Sequence, residues 1–252
     1  MSSISWKQNR ICLRAARLDA SLAVEVYDRT CRTDFHEPGF CVVNLGSELD
    51  SHSFRRSMVD LKGEMARRHE SATGKTLAFV WASRFDQQNS TKMHCDGGPE
   101  ENFLMLGYEP SVVASELEIA DYARCALDRG ITPAELLSKH NPMFDSGYEL
   151  LRPYITRVPC FAQTDYQIIC INNSTAAYHA HGLTWQGTLH QATVPKPDET
   201  QRRIINSMML ASVPVESQAS VDQVSSADIE DFIATRAVRR RGYDKQHLQD
   251  DE

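Results

Sequence analysis

The 252-residue chain has no stretch approaching the roughly 18 to 20 apolar residues of a membrane-spanning helix, so no membrane span is expected. It also has no excess of positive charge: 27 Lys and Arg stand against 34 Asp and Glu, a net charge of −7. Nucleic-acid backbones are bound by basic surfaces, so this balance argues against nucleic acid as a partner. Seven cysteines (Cys12, Cys31, Cys41, Cys95, Cys125, Cys160 and Cys170) are odd in number, widely spaced and form no CxxC pair. They are expected to be reduced, mostly buried thiols and not a disulfide scaffold. The opening, from Met1 to Arg14, carries charges throughout and lacks the apolar heart of a secretory signal, which points to the cytoplasm. Internal repeats and low-complexity runs are absent, which excludes collagen-like, coiled-coil and disordered classes. What is present is ordinary for one soluble globular domain over 1–252: 41 % apolar and 24 % charged residues.

Residues 1–75 read as a mainly helical flank interrupted by a strand at Phe40–Leu45, where β-branched and aromatic side chains gather. From Ser53 to Glu70, Phe54, Met58, Leu61 and Met65 recur at helical spacing among charges, the pattern of an amphipathic helix. Residues 76–213 then hold short β-type runs at Leu77–Ser83, Phe103–Tyr108, Tyr154–Phe161, Gln167–Asn172, Gly187–Val194 and Arg203–Val213, with turn-rich segments between them. Such a series predicts an antiparallel sandwich or barrel, so the class is mainly β with flanking helices, an α+β protein. A helical insertion is expected at about 111–140, from Val112, Leu117, Ile119 and Tyr122 and a second start at Thr132-Pro133. A last helix is expected over 225–242, opened by the capping-box-like Ser225-Ser226-Ala227-Asp228 and ending in Arg239-Arg240-Arg241, read as a solvated basic end.

The chemistry concentrates in His94-Cys95-Asp96 and, 94 residues after that aspartate, His190. Alternate side chains of a strand face one way, so His94 and Asp96 can point at one ion while Cys95 points away. A second strand that brings His190 alongside completes two imidazoles and a carboxylate on one face. That donor set suits non-haem Fe(II) and leaves coordination positions open. A His-x-Asp triplet alone has little specificity. Its weight comes from the β-type run before it, the Gly97-Gly98-Pro99 turn after it, and Arg202-Arg203 just beyond the distal histidine.

In these motifs the sequence resembles the Fe(II)/2-oxoglutarate-dependent dioxygenases over residues 77–213. The resemblance implies a double-stranded β-helix (jelly roll, cupin-like) core, with His94, Asp96 and His190 as iron ligands and catalytic centre. It implies 2-oxoglutarate as cosubstrate, O2 as oxidant and a small-molecule substrate, oxidised at an unactivated C–H with release of succinate and CO2. An Arg would pair with the distal carboxylate of the keto acid, as its planar fork suits. Strand periodicity leaves Arg202 and Arg203 both open, because Ile204 and Ile205 are both apolar. In taurine-dioxygenase-like members the second Arg of a doublet carries the cosubstrate, and by that likeness the choice falls on Arg203. The family often has Ser or Thr two residues after this Arg, where this chain has Ile205; Ser207 lies four residues on. Asp96 disfavours the related halogenases, which carry a small residue there.

Other residues have weaker claims. Asn172, at the end of a β-type run, and Arg84 are candidates for the pocket lining, while Trp81 and Tyr166 read as wall or core aromatics. His179-Ala180-His181 opens a second reading, a cupin-type metalloenzyme that needs no keto acid, although no Glu follows in the expected stretch. A third reading is a non-catalytic jelly-roll binding protein. Substrate identity and oligomeric state are not encoded in any pattern found.

Overall fold

The computed structural model describes residues 5–15, 17–158, 163–175, 185–218 and 222–241. Its helices are α1 (Gln8–Ile11), α2 (Ala20–Thr30), α3 (Ser51–Thr73), α4 (Tyr122–Asp128), α5 (Pro133–Lys139), α6 (Asp145–Leu151) and α7 (Ser226–Ala234). The strands are β1 (Cys12–Arg14), β2 (Phe40–Asn44), β3 (Lys75–Gln87), β4 (Asn102–Tyr108), β5 (Glu116–Ala120), β6 (Ile155–Arg157), β7 (Gln167–Asn172), β8 (Leu189–Thr193), β9 (Ile204–Pro214) and β10 (Arg239–Arg241). Helix starts follow their side chains. Asp19 and Asp50 accept from the backbone N–H of Leu22 and Ser53, and Thr132 and Ser225 form full capping boxes with Glu135 and Asp228.

Two sheets form the core: a seven-stranded sheet in the order β1-β2-β7-β4-β9-β3-β10 and a three-stranded sheet in the order β6-β5-β8. All pairings are antiparallel except β1 on β2 and β10 on β3. Leu104, Leu106, Ile169, Ile171 and Ile205 of the large sheet pack with Leu117 and Ile119 of the small one, so the inner faces share one apolar layer. The alternate residues Met105, Ile168, Cys170, Met208 and Leu210 face the other way, against Phe54, Met58 and Leu61 of α3 and Phe232 of α7. The central strands are therefore buried on both faces, which is why Ile168-Ile169-Cys170-Ile171 is a continuous apolar run and not an alternating one. A third cluster, including Tyr122, Leu136 and Leu151, packs α4 to α6 with Ala120 and Leu189 of the small sheet. Two facing sheets flanked by helices give the double-stranded β-helix class.

The structure corrects three expectations. Glu116–Ala120 is a strand, not part of a helix. Leu117 and Ile119 turn inward while Glu116 is exposed, and the segment is hydrogen-bonded to both β6 and β8, so the helix begins only at Tyr122, after the Asp121 cap. Arg239–Arg241 is not a helix end but a short strand on the edge of β3, because α7 stops at Ala234. Cys12 is disulfide-bonded, whereas Cys31, Cys41, Cys95, Cys125 and Cys170 are free, so the thiols no longer argue for a reducing compartment. No helix among the described residues is long and apolar enough to cross a membrane.

Candidate metal and anion site

One short segment carries the site. Leaving the large sheet at the end of β3, residues 88–94 attach to β8: Thr91 exchanges two hydrogen bonds with the Ala192 main chain (2.9 Å each), and Ser90 Oγ accepts from Val194 N (2.9 Å). His94 and His190 then form a reciprocal main-chain pair of 3.0 and 2.8 Å. His94 is thus in a single β-bridge and not in a continuous strand as expected. Directly opposed residues project side by side, and the two imidazole centroids are 4.4 Å apart. Asp96 follows in a loop, where Asn173 holds its main chain on both sides. Asp96 N donates to Asn173 Oδ1 (3.0 Å), and Asn173 Nδ2 donates to Asp96 O (2.9 Å).

The donor atoms of His94, Asp96 and His190 all lie within 4.8 Å of one another. Nε2 of His94 is 3.5 Å from Asp96 Oδ1, and Nε2 of His190 is 4.0 Å from Asp96 Oδ2. His94 Nδ1 lies 2.6 Å from Lys92 O. A carbonyl can only accept, so Nδ1 carries the proton and Nε2 presents its lone pair to the cluster. Burial, and secondarily the neighbouring His94, push the His190 imidazole below its usual range and keep it neutral, the form a metal ligand needs. The hydrogen bond with Asp96 moves His94 the other way. Two imidazole nitrogens and one carboxylate, gathered on the wall of an open cavity, fit a divalent first-row metal held on one side. Cys95 packs away from it, against the α4–α6 cluster.

The cavity that contains the triad has a volume of about 270 Å³ and is also lined by Trp81, Tyr108, Arg203 and Ser207. Arg203 is the distinctive group. Its side chain is buried, Nη1 donates to Gln87 O (2.9 Å), and Nε and Nη2 are buried with no hydrogen-bond partner among the described residues. A desolvated guanidinium with two unmatched donors is unfavourable unless an anion meets it. Its carbon lies 5.2 Å from the Tyr108 ring centroid, on the strand position opposite Ile205. Trp81 Nε1 donates to Ser207 Oγ (3.2 Å) and closes the wall.

The remaining candidates lie elsewhere. Arg202 is exposed on a separate surface hollow beside Ser111 and Gln163, whereas Arg203, the next residue and the last before β9, is buried against the cavity. Asn172 does not line the cavity: its amide serves the main chain, accepting from Ser174 N (3.2 Å) and donating to Arg32 O (3.4 Å). Its neighbour Asn173, which the sequence reading missed, does the positioning. Arg84 pairs with Glu109 (3.1 Å) outside the cavity, and Tyr166 packs on Phe54 in a tilted contact, ring centroids 4.9 Å apart. His179 and His181 lie outside the described residues.

Comparison with known proteins adds outline only. No family model and no curated protein matches the chain. Among solved structures, a taurine dioxygenase from Burkholderia xenovorans is similar at 11 % identity, over 88 % of this chain and 98 % of that one, with a TM-score of 0.45. The iron and alpha-ketoglutarate-dependent endoperoxidase NvfI is similar at 12 % identity, over 78 % of this chain and 82 % of that one, with a TM-score of 0.40. At such scores the chemistry of this chain has to be argued from its own residues.

Proposed function

We propose that this chain is an Fe(II)- and 2-oxoglutarate-dependent oxygenase acting on a small molecule. The supporting observation is that a His–Asp–His donor set and a buried guanidinium with two unmatched donors open into the same cavity. His94, Asp96 and His190 would hold the metal from one side. Arg203 would take the distal carboxylate of the keto acid through Nε and Nη2, as a planar fork favours. Ser207, in the same cavity, would supply the hydroxyl that the family places two residues after the arginine, where this chain has Ile205. Bound Fe(II) supplies the coupling of O2 reduction to oxidative decarboxylation, one oxygen atom entering succinate and the other the substrate, with CO2 released. The protein fixes the His94 tautomer through Lys92 O, keeps His190 neutral, and walls the keto acid from water with Trp81 and Tyr108.

Anaerobic titration with Fe(II) and 2-oxoglutarate tests this. The visible metal-to-ligand charge-transfer absorption of the chelate is expected for the wild-type protein and not for a folded His94→Ala variant. With O2 admitted, succinate should form. Folded protein that gives no absorption refutes the proposal. Absorption without any succinate would instead leave a binding protein.

A further inference from the structure

The end of β3 grips the segment that carries Arg203. Gln88 is almost fully buried, and its amide makes three main-chain contacts: Nε2 donates to Asp198 O and to Gln201 O (3.0 Å each), and Oε1 accepts from Asp198 N (2.6 Å). Two residues earlier Asp86, equally buried, accepts from Arg203 N (3.0 Å). Between them Gln87 N donates to Arg203 O (3.1 Å), and Gln87 O takes Arg203 Nη1. The gripped loop lies at the surface, with Pro195 to Arg202 all exposed; besides the Gln88 contacts it has a turn closed on Asp198 by Gln201 N and Thr200 N (3.0 Å each) and a hydrogen bond from Ser111 Oγ to Arg202 O (2.8 Å). Asp86 and Gln87 thus hold Arg203 at its own main chain, and the Gln88 amide holds the exposed loop that leads into it.

We infer that Gln88 is a positioning residue that clamps the 198–201 loop and thereby aims the Arg203 guanidinium into the cavity. It acts on the anion end of the site and not on the metal end. The same stretch that leaves Gln88 runs on through Thr91 and His94 to β8, so a single run of nine residues, 86–94, spans the distance between Arg203 and the triad. The clamped carbonyls and N–H belong to a loop at the surface, where water replaces the lost partners when the amide is removed. The fold therefore tolerates loss of the clamp while the arginine loses its fixed aim. Misplacing a charged group by about 1 Å is sufficient to reduce binding strongly.

The inference rests on Arg203 being the keto-acid anchor, and the experiment separates the two. 2-Oxoglutarate is titrated calorimetrically into Zn(II)-loaded wild type, Gln88→Met (similar size, no hydrogen bonds), Gln88→Ala and Arg203→Met, and Zn(II) affinity is measured on each metal-free protein. Gln88→Met and Gln88→Ala are expected to weaken 2-oxoglutarate about tenfold or more while Zn(II) affinity stays within twofold. A clamp that is merely structural would lower both together. Unchanged keto-acid affinity in the Gln88 variants, with Arg203→Met weakened, overturns the clamp and leaves the anchor standing. Unchanged affinity in Arg203→Met overturns both. Loss of Zn(II) affinity in the Gln88 variants overturns the clamp as well, because the effect would then not be confined to the anion end.

Discussion

Arg203→Met should push two measurable quantities in opposite directions. Without a bound anion, Arg203 holds Nε and Nη2 buried and unmatched. Each unmatched donor costs about 1–3 kcal/mol, and a methionine of similar length removes both. Against this stands one lost hydrogen bond to Gln87 O, about 1 kcal/mol, together with some packing on Tyr108. The unliganded variant should therefore be as stable as wild type or more stable, by roughly 1–3 kcal/mol in urea unfolding. With a dicarboxylate present the sign reverses. Two charge-assisted hydrogen bonds at about 1.5–3 kcal/mol each correspond to a loss of at least a hundredfold in 2-oxoglutarate affinity, since about 1.4 kcal/mol is a factor of ten. The assay pairs urea midpoints of metal-free protein with calorimetric titration of the Zn(II)-loaded form. A variant that loses several kcal/mol in the unliganded state, or binds the keto acid as before, refutes the assignment of Arg203 as an anion anchor awaiting its partner.

Two further outcomes follow from the same structure. Asn173→Ala removes both bonds that hold the Asp96 main chain, so Zn(II) affinity should fall about 10- to 100-fold by titration against a competing chelator, with 2-oxoglutarate binding reduced only through the metal; unchanged metal affinity would show that Asp96 needs no such support. His69 is buried between Tyr27 OH (2.9 Å from Nδ1) and Ser212 Oγ (3.0 Å from Nε2), stacked on Trp185, and burial lowers its pKa from 6.5 to about 4. A histidine whose folded pKa is depressed contributes its full share above pH 6.5 and loses it as pH falls towards 4, here roughly 3 kcal/mol. Urea midpoints measured across that window should drop less steeply for His69→Gln than for wild type, and parallel curves would rule the titration out.

Much of the architecture was legible because the strands that build it are short and bounded by turn residues. Phe103–Tyr108 and Gln167–Asn172 appear as strands β4 and β7 with nearly the expected limits, since apolar β-branched and aromatic runs of that length can satisfy their backbone only by pairing. The segment 111–129 misled because Leu117, Ile119 and Tyr122 fit a helical stripe as readily as an alternating strand followed by a helix, and partners on both sides, not local preference, decided between them. Arg239–Arg241 misled for the same reason: nothing in three arginines announces a seat beside Phe85–Gln87.

By itself the sequence determined the kinds of donor available and their order along the chain: two imidazoles, a carboxylate and an arginine doublet, set among period-two runs. Side-chain chemistry is local, and so is strand alternation. Only the tertiary structure decided that His94 and His190 face each other across one bridge, that Asn173 and not Asn172 holds Asp96, and that Arg203 is buried while Arg202 meets water. The first depends on which residue lies opposite which in segments far apart in the chain, where a one-residue change of register turns a side chain from the cavity to the solvent; the others depend on where the segments just outside β7 and β9 meet the loop of Asp96 and the end of β3.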